Sequence, residues 1–151
     1  MSVSFINKLF KSKSNDDFCT AVVLAAGNSQ RMGKDKILMP LGGAPVIAHT
    51  LKALQSAECI DEIVVVTKYE RLQELADICH DHGISKASKV VVGGKTRLES
   101  SLIGVSNADE RAKYIAIHDG ARPFVTNSLI ERVVHSAHQH GASAPAVSAT
   151  D

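Results

Sequence analysis

No excess of either charge marks this sequence. Seventeen basic residues face sixteen acidic ones, for a formal net charge of +1. Without a long-range field toward nucleic acid or an anionic membrane, neither is expected as a partner, and any phosphate site has to be built locally. A small molecule is the expected ligand. Cysteine is scarce: Cys19, Cys59 and Cys79 are far apart and form no C-x-x-C pair, which reads as reduced core thiols in a cytoplasmic protein. Long hydrophobic runs are also missing, since none approaches the about 18 residues of a membrane-spanning helix. The opening stretch places Phe5, Ile6, Leu9 and Phe10 on one helical face beside Lys8, Lys11 and Lys13. It lacks the uninterrupted apolar core and small-residue cleavage site of a signal peptide, so residues 1–18 are expected to be an extension leading into the first strand. The chain shows no internal repeat and no low-complexity tract.

What is present suits one globular domain over residues 19–151. The apolar fraction of 44% and charged fraction of 22% sit near the globular average, and the length allows a single core. Short apolar runs alternate with helical stripes. Thr20–Ala25, Ile63–Val66, Val90–Val92 and Tyr114–Ile117 read as buried strands, with Ala144–Val147 beginning another. Between them, Ile47, Leu51 and Leu54 mark a helix over 44–57 with Pro45 in its first turn. Leu72, Leu75, Ala76 and Cys79 mark a second, ended by Gly83. Leu98, Leu102 and Val105 stripe a third, and Ile130, Val133, Val134 and Ala137 a fourth, closed by Gly141. The alternation predicts an α/β fold, a mostly parallel sheet with helices on both faces.

Parallel strands deliver their carboxyl ends to one edge, where such folds bind ligands. Three segments at strand ends carry the unusual chemistry: 25–36, 93–101 and 118–123. In the first, Ala25, Ala26 and Gly27 let a ligand approach the main chain, while Arg31 and Lys36 supply a planar fork and a point charge for phosphate. It is not a Walker loop. Five residues separate Gly27 from Gly33, Asp35 follows Gly33-Lys34, and Lys89 stands where Gly94-Lys95-Thr96 would need its first glycine. A G-x-G-x-x-G is absent too. In the second segment, Arg97 and Ser100 share a face of a starting helix. In the third, Asp119 just past a strand suits Mg²⁺, or a ribose hydroxyl, and Arg122 suits a second phosphate. His135 and His138 sit a helical turn apart near His140 but lack a clear further ligand for zinc.

The pattern A-A-G-x-x-x-R-M-G followed by Lys36 resembles the signature loop of sugar-phosphate nucleotidyltransferases. Together with G-G-x-x-R-x-x-S and H-D-G-A-R-P, it resembles the 2-C-methyl-D-erythritol 4-phosphate cytidylyltransferase family, to which ribitol-5-phosphate cytidylyltransferases are close. The resemblance implies a Rossmann-like, GT-A-like fold and transfer of a cytidylyl group from CTP to a polyol phosphate, with pyrophosphate released. It further implies that Arg31 and Lys36 hold the triphosphate and are catalytic, and that Ala25, Ala26 and Gly27 line the nucleotide site. Gly94, Lys95, Arg97, Ser100, Asp119 and Gly120 would complete that site, with Asp119 the Mg²⁺ ligand. Arg122 and Asp151 would face the acceptor phosphate.

Two departures accompany the resemblance. The family's K-Q-[FY]-L appears as Lys36-Ile37-Leu38-Met39, and its P-V-x-D-T as Ser148-Ala149-Thr150-Asp151, where the sequence stops. Family members continue further and form homodimers through an arm that completes the polyol-phosphate site. The fold is accordingly expected to be incomplete at its C-terminus, with nucleotide affinity and little transfer. A ribitol-5-phosphate cytidylyltransferase, a non-catalytic CTP-binding module and a relative using another nucleotide are the alternatives.

Overall fold

The computed structural model describes residues 17–27 and 35–148. Four parallel strands form the central sheet: β1 (Cys19–Leu24), β4 (Glu62–Thr67), β5 (Ala87–Val92) and β6 (Tyr114–Asp119), in the order β5-β4-β1-β6. A two-residue pair, β2 (Pro40–Leu41) with β3 (Ala44–Pro45), precedes the first helix and turns through Gly42 and Gly43, both at positive φ. The helices are α1 (Val46–Ser56), α2 (Leu72–Asp81), α3 (Arg97–Ser106) and α4 (Asn127–His140). Each strand of the central sheet and each of the four helices overlaps its sequence expectation, with ends shifted by a few residues; the β2–β3 pair was not expected, and β3 takes the first two residues of the helix expected over 44–57. Pro45 sits just before the first residue of α1 rather than within its first turn.

The two inner strands read as unbroken apolar runs because both their faces are covered. Ala21, Val22, Val23 and Ile63 to Val66 have no exposed surface. Side chains alternate between two layers. Ala21, Val23, Ile63 and Val65 join Ile47, Leu51 and Leu54 of α1, Leu75 of α2 and Ile130 and Val134 of α4 in the larger core. Val22, Val64 and Val66 face the other way, toward α3. Glu62, buried at the start of β4, accepts hydrogen bonds from Thr20 Oγ1, Ser88 Oγ and the Asp109 N–H. One carboxylate thereby ties together β1, β5 and the approach to β6.

Two expectations need correction. Residues 142–148 have no regular structure and are exposed, so Ala144–Val147 is not a strand. A strand requires a partner ladder, and none of the described residues supplies one. The α3 stripe is also reversed: Leu98, Leu102 and Val105 are 70%, 57% and 39% exposed, while Ser100, Ser101 and Gly104 turn inward. The cause is close approach. A Cβ on Gly104 would lie 2.2 Å from Val22 Cγ1 and 3.0 Å from Val66 Cγ2, so only the small-residue face of α3 fits against the sheet. The displaced apolar side chains, with Ile117 at 46% exposure on β6, leave an uncovered apolar surface.

The chain runs outward from β1 through β4 to β5, then returns over α3 to place β6 on the other side of β1. That reversal is a topological switch point, and its crevice opens at the carboxyl ends of β1 and β6.

Candidate functional site

The strand-terminal segments do meet at this crevice, as far as they are described. The Ala25 N–H donates to Val66 O at 2.7 Å and the Gly120 N–H to Leu24 O at 2.9 Å, which stitches the exit of β1 to β4 on one side and β6 on the other. Gly93 closes the third side. A Cβ there would meet Ser100 Oγ at 2.8 Å, Ala26 Cβ at 2.9 Å and Val66 Cγ1 at 3.0 Å. Glycine is required by packing at this point, because three segments converge on it. Thr50 of α1 donates its buried hydroxyl to Gly120 O at 2.9 Å and holds the β6 exit in place.

Asp119 sits between two guanidinium groups. Arg97 Nη2 donates to Oδ1 and Arg122 Nε to Oδ2, both at 3.0 Å, so the second and third segments are joined by charge. Partial burial of Asp119 opposes ionisation, but the Arg97 hydrogen bond and charge, reinforced by Arg122, outweigh it and hold the carboxyl below its ordinary value. Both arginine side chains remain largely exposed, at 67% and 74%. Such pairs contribute little stability, which leaves the guanidiniums ready to exchange a carboxylate for phosphate oxygens. Among the described residues no cluster of three or more His, Cys, Asp or Glu side chains is available to a metal. A divalent ion at this crevice would have the Asp119 carboxylate as its protein ligand, in exchange for an arginine, with ligand phosphates and water making up the rest. Beside Asp119, His118 is pushed toward the neutral form, chiefly by burial, and its Nδ1 is buried without a partner among the described residues.

The Gly93–Thr96 turn borders a cleft of about 590 Å³, within the range of small-molecule pockets. Ala26, Thr67, Tyr69, Gly93, Gly94, Lys95 and Glu99 line it. Each N–H of the turn is already engaged: Gly93 with Thr67 O at 2.7 Å, Gly94 with Ser100 Oγ at 3.2 Å, and Lys95 and Thr96 with Glu99 Oε2 at 2.6 and 3.3 Å. The Gly94 and Lys95 N–H groups are thus bonded within the turn, and Ser100 Oγ also lies within reach of Gly94 O at 3.4 Å. A groove of about 670 Å³ between α2 and β5 is larger, but it lies away from the strand carboxyl ends and contains none of the expected site residues.

Residues 19–151 match the family model described as 2-C-methyl-D-erythritol 4-phosphate cytidylyltransferase. The chain belongs to this family. A relative named 2-C-methyl-D-erythritol 4-phosphate cytidylyltransferase, from Clostridium botulinum (strain Langeland), is 36% identical over 127 residues, which are 83% of this chain and 56% of that protein. The crystal structure of 4-diphosphocytidyl-2C-methyl-D-erythritol synthase from Anaerococcus prevotii superposes with a TM-score of 0.70 at 26% identity, over 83% of this chain and 52% of that one. A Mycobacterium tuberculosis protein solved as a manganese complex shares the fold, with a TM-score of 0.62 at 22% identity over 80% and 59% of the two chains. The chain spans about half the length of the curated relatives it matches.

Set beside the motifs of the cytidylyltransferase family, the geometry brings Ala25, Ala26, Gly94, Arg97, Ser100, Asp119, Gly120 and Arg122 to one crevice. Gly27 follows directly on it and is exposed. Lys36 opens a short 3-10 turn, Lys36–Leu38, and its neighbour Asp35 pairs with Arg71 at 3.3 Å. That pair ties Asp35 to the Tyr69–Arg71 turn, whose Tyr69 lines the cleft. Arg31 and Asp151 lie outside the described residues. Of the α4 histidines only His138 packs, its ring centroid 4.0 Å from that of Tyr114, whereas His135, beside Gln139, and His140 are exposed. Sequence reading alone does not single out Thr50, Thr67, Tyr69 or Glu99. Glu99 had a legible signal, the Thr96-x-x-Glu99 capping box that the structure forms in full. Thr67 had none. Its hydroxyl is buried without a partner among the described residues, a rare condition for a native polar atom, and only the tertiary fold brings it to the cleft.

Proposed function

We propose that this chain forms the CTP-binding part of a cytidylyltransferase that joins CTP to 2-C-methyl-D-erythritol 4-phosphate in isoprenoid precursor synthesis. The observation that carries this reading is the Arg97–Asp119–Arg122 cluster, set at a switch point against the small-residue exit of β1. It supplies exchangeable guanidiniums and a carboxylate within one crevice, in a chain of this family.

In the proposed reaction a phosphate oxygen of the polyol attacks the α-phosphorus of CTP. The bond from that phosphorus to the bridging oxygen of the β-phosphate breaks, and pyrophosphate leaves. The attacking oxygen is already anionic and needs no general base, which agrees with a neutral His118. Arg31 and Lys36 would neutralise the triphosphate and the developing charge. Ala25, Ala26, Gly27 and Gly120 would line the nucleotide, with Gly94, Lys95 and Ser100 at the base and Arg97 shaping the pocket. Arg122 and Asp151 would orient the acceptor. Mg²⁺ bound at Asp119 would add positive charge beside the phosphates.

The described residues support capture of CTP; the transfer step is proposed for the full length of the relatives. We also propose a cytoplasmic homodimer, with residues 19–151 as the nucleotide-binding unit and residues 1–18 as an extension. Cys19 and Cys79 are buried and Cys59 is half-buried, and no described helix is long and apolar enough to cross a membrane. Thermal unfolding with CTP, UTP, GTP or ATP, each with MgCl₂, tests the reading. The midpoint should rise most with CTP, and equal response to all four would remove the cytidine assignment.

A further inference from the structure

The edge of a sheet presents N–H and C=O groups that can template pairing with another chain, and proteins usually blunt it with lysine, proline or a bulge. The two edges of the central sheet differ in this respect. On β5, Ser88 and Lys89 are exposed, and the ladder to β4 slips between Ile63 and Val64. On β6, Tyr114 to His118 include no lysine or proline, and their register with β1 is unbroken. The Tyr114 and Gly120 N–H groups donate to Phe18 O and Leu24 O, so by the alternation of a ladder the N–H groups of Ile115 and Ile117 point outward. No described strand pairs with that side of β6, and residues 142–148, which are exposed, do not take it up. One flanking face is bare as well. α4 covers the other face of β6, with His138 against Tyr114, but α3 packs mainly on β1, β4 and β5. Ile117 is left exposed in consequence.

We propose that the β6 edge is an interaction surface for a second copy of this chain, the two β6 strands pairing antiparallel about a two-fold axis at Ala116. A two-fold interface has to be self-complementary, and this register is. Ile115 stands opposite Ile117 of the partner, and each such pair exchanges both N–H···O bonds through its outward groups. The four isoleucines form one apolar cluster on the bare face. Lys113 stands opposite Asp119 of the partner, so the charges directly across are unlike, which favours the pairing. A shift of two residues in either direction would instead set an isoleucine against Lys113 or Asp119. The interface rests on one strand pair and one small cluster, which puts it among complexes burying less than about 1,200 Å² in total. A dissociation constant on the order of 10–100 µM is expected. The proposal goes beyond the CTP reading and does not depend on it.

Sedimentation equilibrium of the full 151-residue chain, from about 5 µM to about 1 mM, spans that constant and should show monomers giving way to dimers. Ile117→Lys places on this edge the charge that β5 already carries. It should remain monomeric over the whole range, and because Ile117 is exposed its unfolding midpoint should stay near that of the parent. Ala116→Cys tests the register. Ala116 faces its own copy across the axis at a non-hydrogen-bonded position, where Cα atoms lie about 4.5 Å apart, within the span of a disulfide. Mild oxidation should cross-link this variant into a dimer on a non-reducing gel. Ile117→Cys, offset by two residues from its own copy, and the unsubstituted chain should stay largely free of cross-links. A monomer throughout the range overturns the proposal and leaves the edge to a strand of another protein. A dimer that survives Ile117→Lys overturns it too, as does equal cross-linking of the two cysteine variants or an Ala116→Cys chain that dimerises without cross-linking.

Discussion

Replacing Gly104 with alanine pits two physical terms of opposite sign against each other. In the interior of α3, alanine is favoured over glycine by about 1 kcal/mol on helix propensity. Against this, the new methyl would sit 2.2 Å from Val22 Cγ1 and 3.0 Å from Val66 Cγ2, where carbon atoms rest at about 3.5–4.0 Å. Neither valine has any exposed surface, so neither can swing aside into solvent. Relief requires α3 to lift from the sheet, and overpacking of this kind costs about 1–3 kcal/mol, occasionally more. With so severe an overlap the upper part of that range applies, leaving a net loss of about 1–2 kcal/mol after the propensity gain. For a chain of this size that lowers the unfolding midpoint by roughly 3–8 °C. Because Arg97 and Ser100 ride on the first turn of α3, CTP affinity should fall as well. Differential scanning calorimetry of Gly104→Ala, Val22→Ala and the double variant tests this directly. The double variant should be more stable than the sum of the single effects, since removing Cγ1 makes room for the new methyl. A Gly104→Ala midpoint at or above that of the parent would refute the packing argument.

Three further outcomes follow from the structure. Burial of Glu62 opposes its charge, but hydrogen bonds from Ser88, Asp109 and Thr20 and the charge of Lys89 hold its carboxyl below the ordinary 4.5. A depressed folded value means this contribution is full above the unfolded value and is lost as pH falls through the folded one. Urea unfolding should therefore show stability falling below about pH 5, with a shallower fall in Glu62→Gln; parallel pH profiles would count against it. In Asp119→Asn, titration should show that MgCl₂ no longer strengthens CTP binding, and a preserved magnesium effect would place the ion elsewhere. Leu98→Lys with Leu102→Glu should change stability in urea unfolding by only about 0.5 kcal/mol, since both side chains are exposed. A large loss of stability would mean that this face is not exposed as described.

Much of this architecture was legible because local physics writes it into the chain. Ala21–Val23 and Ile63–Val66 had to be buried strands, since an apolar run without alternation leaves no polar face for water. Gly83 and Gly141 adopt the positive φ that ends α2 and α4, and H-D-G-A-R-P stood out by chemistry alone. The sequence by itself determined the layered α/β plan and which charged residues leave the strand ends together. Tertiary structure decided the rest. It chose which face of α3 meets the sheet, because a backbone approach that tolerates only Gly104 outweighs the pull of three larger apolar side chains. It also left residues 142–148 without a ladder and brought Arg97 of α3 to Asp119, 22 positions away in sequence. Contacts between residues distant in sequence depend on how closely whole elements approach, and no local pattern encodes that distance.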